Sequence, residues 1–159
     1  MKTNWKKGID PNYIGSHELD NGDGTYREAI ATITKAVIEE TKTQESKVAV
    51  VLYLKEFKPV IINATNGKAM KSMYGRYIED WVGKKITLYV QKGVKAFGSV
   101  TDAIRIKKQK PALPLMDEAN PLFAKIVERI KDGTATIEQV EQTYTLPSNA
   151  KKILTDAKV

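Results

Sequence analysis

The sequence predicts a mainly β protein of five strands, with one helix between the third and fourth strands and a small helical region after the last. Three observations predict it. Residues 47–63 hold two apolar, β-branched runs, KVAVVLYLK and KPVIIN. Residues 64–75 (ATNGKAMKSMYG) break that texture and close on a glycine. Beyond them, KKITLYVQ (84–91) and AIRIK (103–107) alternate between apolar and polar residues, the period-two signature of a half-buried strand.

Residues 1–12 are polar around one large apolar side chain, Trp5, with Lys2, Lys6 and Lys7 beside it. They read as a loose basic arm; Trp5 is expected to pack on the strands rather than lie on a nucleic acid. Residues 13–19 (YIGSHEL) form a turn or short strand. Asp20-Asn21-Gly22-Asp23-Gly24 then supplies Asn-Gly and Asp-Gly pairs, which accept positive φ in tight turns. The loop fails as a calcium site: with Gly24 at the invariant glycine position, Leu19 and Ile30 fall on the first and last ligand positions.

Residues 26–40 (YREAIATITKAVIEE) read as a long strand, because Ile30, Thr32, Ile33, Thr34 and Val37 are β-branched. Ala29, Ala31, Ile33 and Val37 lie on one parity, Ile30 and Ile38 on the other, which predicts a bulge or sharp bend. After the polar loop 41–46, Val48, Val50, Leu52 and Leu54 share one face of the next strand, and Ala49, Val51, Tyr53 and Lys55 the other. A short strand at 60–63 follows. Thr65 is then the expected N-cap of a helix that stops at Gly75. Met70, Met73 and Tyr74 lie on one helical face and are expected to plug the bottom of the fold, with Trp81 packed at the same end. Ile86, Leu88 and Val90 oppose Thr87, Tyr89 and Gln91; Ile104 and Ile106 oppose Ala103, Arg105 and Lys107. Between these last strands, residues 92–100 read as a loop with two lysines, two glycines and Phe97. Three strands, a helix and two strands is the element order of an OB-fold, a five-stranded Greek-key barrel whose outer face and loops bind oligonucleotides.

The composition changes at residues 107–114 (KKQKPALP). This places a linker at 111–114, between an OB-fold nucleic-acid-binding domain at 1–110 and a helical region at 115–159. Asn120-Pro121 opens a first helix to Lys131, and Gly133 ends it. Thr136 with Gln139 forms a capping box for a second. Residues 147–157 make a third, so the appendage is three-helical.

The charge is uneven. Of the formal net +7, residues 1–112 carry 20 Lys/Arg against 12 Asp/Glu, hence +8; residues 113–159 carry 6 against 7, hence −1. A basic excess on the strands favours a polyanion, because bound cations release counterions from phosphates. With no cysteine in the chain, disulfide scaffolds, thiolate metal sites and cysteine nucleophiles are excluded. No apolar run resembles a signal peptide or a membrane span, so a cytoplasmic protein is expected. His17 is the only histidine and reads as structural or solvated. The acid pairs Glu39-Glu40 and Glu79-Asp80 point to opposite faces when on a strand. There is no phosphate-cradling glycine motif. The expectation is a binding protein, not an enzyme, with no cofactor and no metal.

Sequence-independent binding of single strands needs flat rings for bases and cations along the backbone. The outward parity offers Tyr53, Lys55, Tyr89, Arg105 and Lys107; the 92–99 segment adds Lys92, Lys95 and Phe97. These eight are the candidate nucleic-acid-binding residues.

Two stretches carry a resemblance: Ile61-Ile62-Asn63-Ala64-Thr65-Asn66 before the helix, and Trp81-Val82-Gly83-Lys84-Lys85-Ile86-Thr87-Leu88-Tyr89 after it, with Ala103–Ile106 as a last strand. Over about residues 26–108 the chain resembles a family of phage- and prophage-encoded OB-fold proteins related to single-stranded-DNA-binding proteins. Residues 133–139 and 144–146 are similar to a small helical tail of phage recombination and replication proteins. The resemblance implies a factor that coats single-stranded DNA during phage replication or recombination in the host cytoplasm. It also implies that the helical tail contacts a replication or recombination protein or mediates self-association. Familiar bacterial single-strand-binding proteins recruit partners through an acidic tail; this chain departs from them in ending Asp156-Ala157-Lys158-Val159. The rival reading is a protein-interaction module built on the same barrel.

Overall fold

The computed structural model describes residues 5–8, 12–43, 45–96 and 98–158. The chain divides into two compact units, Met1–Pro111 and Ala112–Val159. In the first, strands β1 (Ala29–Glu40), β2 (Val48–Leu54), β3 (Val60–Ile62), β4 (Lys85–Ala96) and β5 (Ser99–Ile106) form one antiparallel sheet in the order β3-β2-β1-β4-β5. Helix α1 (Ala64–Tyr74) separates β3 from β4 in the chain.

Strand β1 serves two partners. Its first half pairs with β4, Ala29 opposite Leu88 and Thr32 opposite Lys85. Its second half pairs with β2, Lys35 opposite Tyr53 and Glu40 opposite Val48. The register breaks between Ile33 and Lys35, and the inward set changes there from Ala29, Ala31 and Ile33 to Ala36. This is the bulge that the mixed parity predicts, one extra residue that bends the strand and reverses its facing. Hydrogen bonds fix the junction. Ile33 N–H donates to the Lys84 carbonyl, Gly83 N–H to that of Ile33, and Lys55 N–H to that of Thr32. The Glu56 carboxylate accepts Thr32 N–H at 2.7 Å and the Thr32 hydroxyl at 2.9 Å. Burial pushes the Glu56 carboxyl up, but the two Thr32 bonds, with its own backbone amide and the Lys85 charge, together hold the group below its ordinary value.

The core follows the alternation. Ile33, Leu52, Ile86 and Leu88 are fully buried, with Leu54 and Ile106 nearly so. Met70 is buried among them, and Met73 and Tyr74 pack against the same cluster, so the helical stripe does plug the fold. Gly75 ends α1 at φ 88°, a conformation that favours glycine, and its carbonyl accepts the indole N–H of buried Trp81 at 2.9 Å.

The sheet is open, whereas the element order predicts a closed barrel: β3 and β5 share no ladder among the described residues. Helix α1 packs against both of these edge strands. Its buried Asn66 donates through Nδ2 to the Ile104 carbonyl at 3.2 Å and accepts Ile106 N–H through Oδ1 at 3.1 Å. A carboxamide, one donor and one acceptor side by side, thus stands in for a strand residue on the β5 edge. Asn63, not Thr65, caps the helix: its Oδ1 accepts Asn66 N–H at 2.9 Å. The chain turns into helix directly after β3, two residues earlier than a threonine cap would place it.

Two further expectations are corrected. Residues 92–100 are mostly ribbon, not loop; β4 runs to Ala96 and β5 begins at Ser99. The ladder slips between Gln91 and Val94, where Gly93 takes φ 68° and absorbs the extra residue. Trp5 does not pack on the strands: it lies in a 3-10 turn, Trp5–Gly8, and is 73% exposed.

In the second unit, α2 (Phe123–Lys131), α3 (Ile137–Thr143) and α4 (Ser148–Ala157) enclose Met116, Phe123, Ile130, Val140, Ala150 and Leu154. Thr136 and Gln139 form the expected capping box. The carbonyls of Leu113 and Pro114 accept the Thr145 hydroxyl and N–H, so residues 113–114 are tied into this unit. Among the described residues, no helix is long and apolar enough to cross a membrane.

Candidate nucleic-acid interface

Outward-facing side chains follow from the inward ones. On β4, Ile86, Leu88 and Val90 pack inward, so Thr87, Tyr89 and Gln91 point out. On β5, Ile104 and Ile106 pack inward, so Ala103, Arg105 and Lys107 point out. Tyr89 lies directly opposite Arg105, where cross-strand side chains touch. Arg105 donates from Nε to Gln91 Oε1 at 2.9 Å, and its two Nη groups make no hydrogen bond among the described residues. Lys107 reaches Glu28 Oε1 at 2.6 Å, with both side chains largely in solvent. Ile30 of β1 sits opposite Thr87 and is 48% exposed. Tyr89, Arg105 and Lys107 therefore share one patch, and its ring makes no hydrogen bond and bears no cation among the described residues.

Tyr53 and Lys55 lie elsewhere. Tyr53 points outward from β2, opposite Lys35 of β1. From Ala29, opposite Leu88, to Lys35 is six residues along β1, about 20 Å of strand at about 3.3 Å per residue. The Tyr53 ring already carries the Lys35 ammonium, 5.3 Å from its centroid, and its hydroxyl donates to Glu39 Oε1 at 2.7 Å. That bond to a carboxylate holds the phenol proton on, raising its pKa above the ordinary tyrosine value. Tyr13 completes this neighbourhood: it is buried, and its hydroxyl accepts Lys42 N–H at 2.9 Å. Lys55 is exposed just beyond β2.

Lys92 and Lys95 are exposed on the β4–β5 ribbon. Lys92 is anchored: its Nζ donates to the Gly24 carbonyl at 2.8 Å and lies 5.4 Å from the Tyr26 ring centroid. The Tyr26 hydroxyl donates to Asp102 Oδ2 at 2.7 Å, and Asp102 Oδ1 accepts Gly93 N–H at 3.2 Å. The Tyr26 bond is the main reason the Asp102 carboxyl sits below its ordinary value, with the Gly93 amide next. This cluster fastens the root of the ribbon to the turn at residues 20–26. Phe97 lies outside the described residues.

His17 is buried with its Nε2 free of a hydrogen-bond partner among the described residues, 3.7 Å from Glu18 Oε1. Glu18 itself pairs with Lys58 at 3.1 Å. Among the described residues, no group of three or more His, Asp or Glu side chains is placed to hold a metal ion.

Sequence reasoning missed the companions of these side chains: Glu28 on Lys107, Lys35 and Glu39 on Tyr53, and Ile30 beside Thr87. The contacts arise from register across β1, which no local pattern displays. Compared with protein-family models, with curated proteins and with solved structures, the chain matches none.

Proposed function

We propose that this chain binds single-stranded DNA without sequence readout and without catalysis, on an OB-like sheet, as a phage replication or recombination factor. The observation that carries the reading is Tyr89 beside Arg105 and Lys107 on one outward patch, in a unit whose formal charge is +8 over residues 1–112. The ring offers a π-face to a base, and the guanidinium and ammonium offer charge to the flanking phosphates. Lys92 and Lys95, both on β4, extend the cations along the ribbon. The strand order and the helix between β3 and β4 support the OB-like assignment, with Asn66 bridging where such a barrel would close. The near-neutral helical unit, with a core of its own, is assigned the contact with a protein partner.

Titration of a labelled oligo-dT at low and moderate salt tests the proposal. Four cations on phosphates give a log–log salt slope of about −3 for a single strand. No binding at low salt, or an affinity indifferent to salt, rejects it.

A further inference from the structure

The chain has two tryptophans with opposite surroundings. Trp81 is 5% exposed and its indole N–H is hydrogen-bonded. Trp5 is 73% exposed, although it belongs to a formed 3-10 turn. Leaving so large an apolar side chain in water forfeits the gain of burying it. A single exposed apolar residue is ordinary on a protein surface, so its position has to carry the argument.

The position is specific. The Trp5–Gly8 turn packs on a second 3-10 turn, Ser16–Leu19, which packs in turn on β4 and β5. Next in the chain, Lys6 lies within electrostatic reach of Asp102. Asp102 holds Gly93 at the root of the basic ribbon, and by alternation its side chain shares the face of Ile104 and Ile106, opposite to that of Arg105. Lys92, two bonds away through Tyr26 and Asp102, adds another cation to this end of the sheet. A solvent-facing indole, held on a turn with Lys6 next to it and Lys92 at the same end of the sheet, combines the two features a single strand requires.

We propose that Trp5, with Lys6 beside it, is a second stacking point for single-stranded nucleic acid at the root of the β4–β5 ribbon. The proposal rests on the nucleic-acid reading above and adds a residue that reading does not use. Its occupant is a base, not a protein side chain, because the neighbouring lysines suit a phosphate backbone.

The test uses the full chain and oligo-dT, read in two ways. Tryptophan emission reports on Trp5, since Trp81 is enclosed; anisotropy of a labelled oligonucleotide reports binding independently. Saturating oligonucleotide is expected to quench wild-type emission and to leave the emission of Trp5→Phe unchanged while that variant still binds. Trp5→Ala is expected to bind about five- to a hundred-fold more weakly, with Trp5→Phe recovering part of the loss and both variants melting at the wild-type temperature. If the oligonucleotide binds but emission is unchanged, or Trp5→Ala binds like wild type, Trp5 is no stacking point and the nucleic-acid reading stands without it. If the oligonucleotide fails to bind wild type at low salt, that reading falls and Trp5 falls with it.

Discussion

Tyr53 and Tyr89 occupy matching places in their strands and opposite chemical situations. Each is half-buried, each sits on the outward parity, and each faces a basic residue across the ladder. The Tyr53 ring is taken: Lys35 lies over it and Glu39 holds its hydroxyl. The Tyr89 ring has neither contact among the described residues, and its opposite number, Arg105, turns its Nε to Gln91. A base arriving at Tyr53 has to displace a cation–π contact worth about 0.5–1 kcal/mol at an exposed site. A base arriving at Tyr89 has nothing to displace. An aromatic beside a cation is thus a binding feature only when the cation is not already spent on the ring.

The strongest way to break the contrast is to unseat the strand that carries Arg105. Asn66→Ala strips the Ile104 carbonyl and Ile106 N–H of their buried partner, at about 1–3 kcal/mol for each group left unsatisfied. The expected result is a lower urea midpoint and faster amide exchange at Ile106, with the amides of the β1–β2 ladder less affected. Equal acceleration in both ladders would show that Asn66 does not act locally on β5.

Next in size is the direct comparison of the two rings. Tyr89→Ala should weaken oligo-dT binding by about 1–3 kcal/mol, whereas Tyr53→Ala should change affinity less than about twofold and show its cost in stability, through the lost bond to Glu39. Anisotropy titrations of the two variants side by side decide it; the reverse ranking moves the interface to β2.

A smaller effect sharpens the same patch. Glu28→Gln releases Lys107 from its ion pair, so affinity should rise a few-fold and the salt slope should steepen by about 0.7. An unchanged slope means that Lys107 does not meet a phosphate.

The smallest effect is on acid stability. The Asp102 carboxyl, at the ribbon root, and that of Glu56, at the β1 bulge, are both held below their ordinary values. In acid the unfolded chain therefore binds more protons at both groups. Their contribution is complete above the ordinary carboxylate values and is lost as pH falls through the lower, folded ones. Urea melts between about pH 5 and pH 2 should show this loss, and Asp102→Asn and Glu56→Gln should each flatten part of it. Variants with the wild-type acid profile would show that neither bond contributes.

Much of the fold was legible because it is local. Strict alternation placed Ile86, Leu88, Ile104 and Ile106 inward, mixed parity marked the β1 bulge, and Thr136-x-x-Gln139 named its own cap. The site was legible only in part. Parity put Tyr53 and Tyr89 in one class, and only the β1–β2 and β4–β5 ladders revealed that Lys35 faces one and Arg105 the other. The function of Asn66 was hidden for a related reason, since the gap it spans separates strands joined by no ladder. Trp5 misled because the burial usual for a large apolar side chain was set above the polar, lysine-rich arm that carries it.

The carboxamide on β5 has one further consequence. An open sheet presents two rims to which a foreign strand can zip, the usual first step toward fibrous assembly. Here one rim, β3, is three residues long, and the other already has its Ile104 and Ile106 positions filled by Asn66. A newcomer would have to evict a side chain rooted in a docked helix, so the sheet stays unclosed without inviting polymerisation.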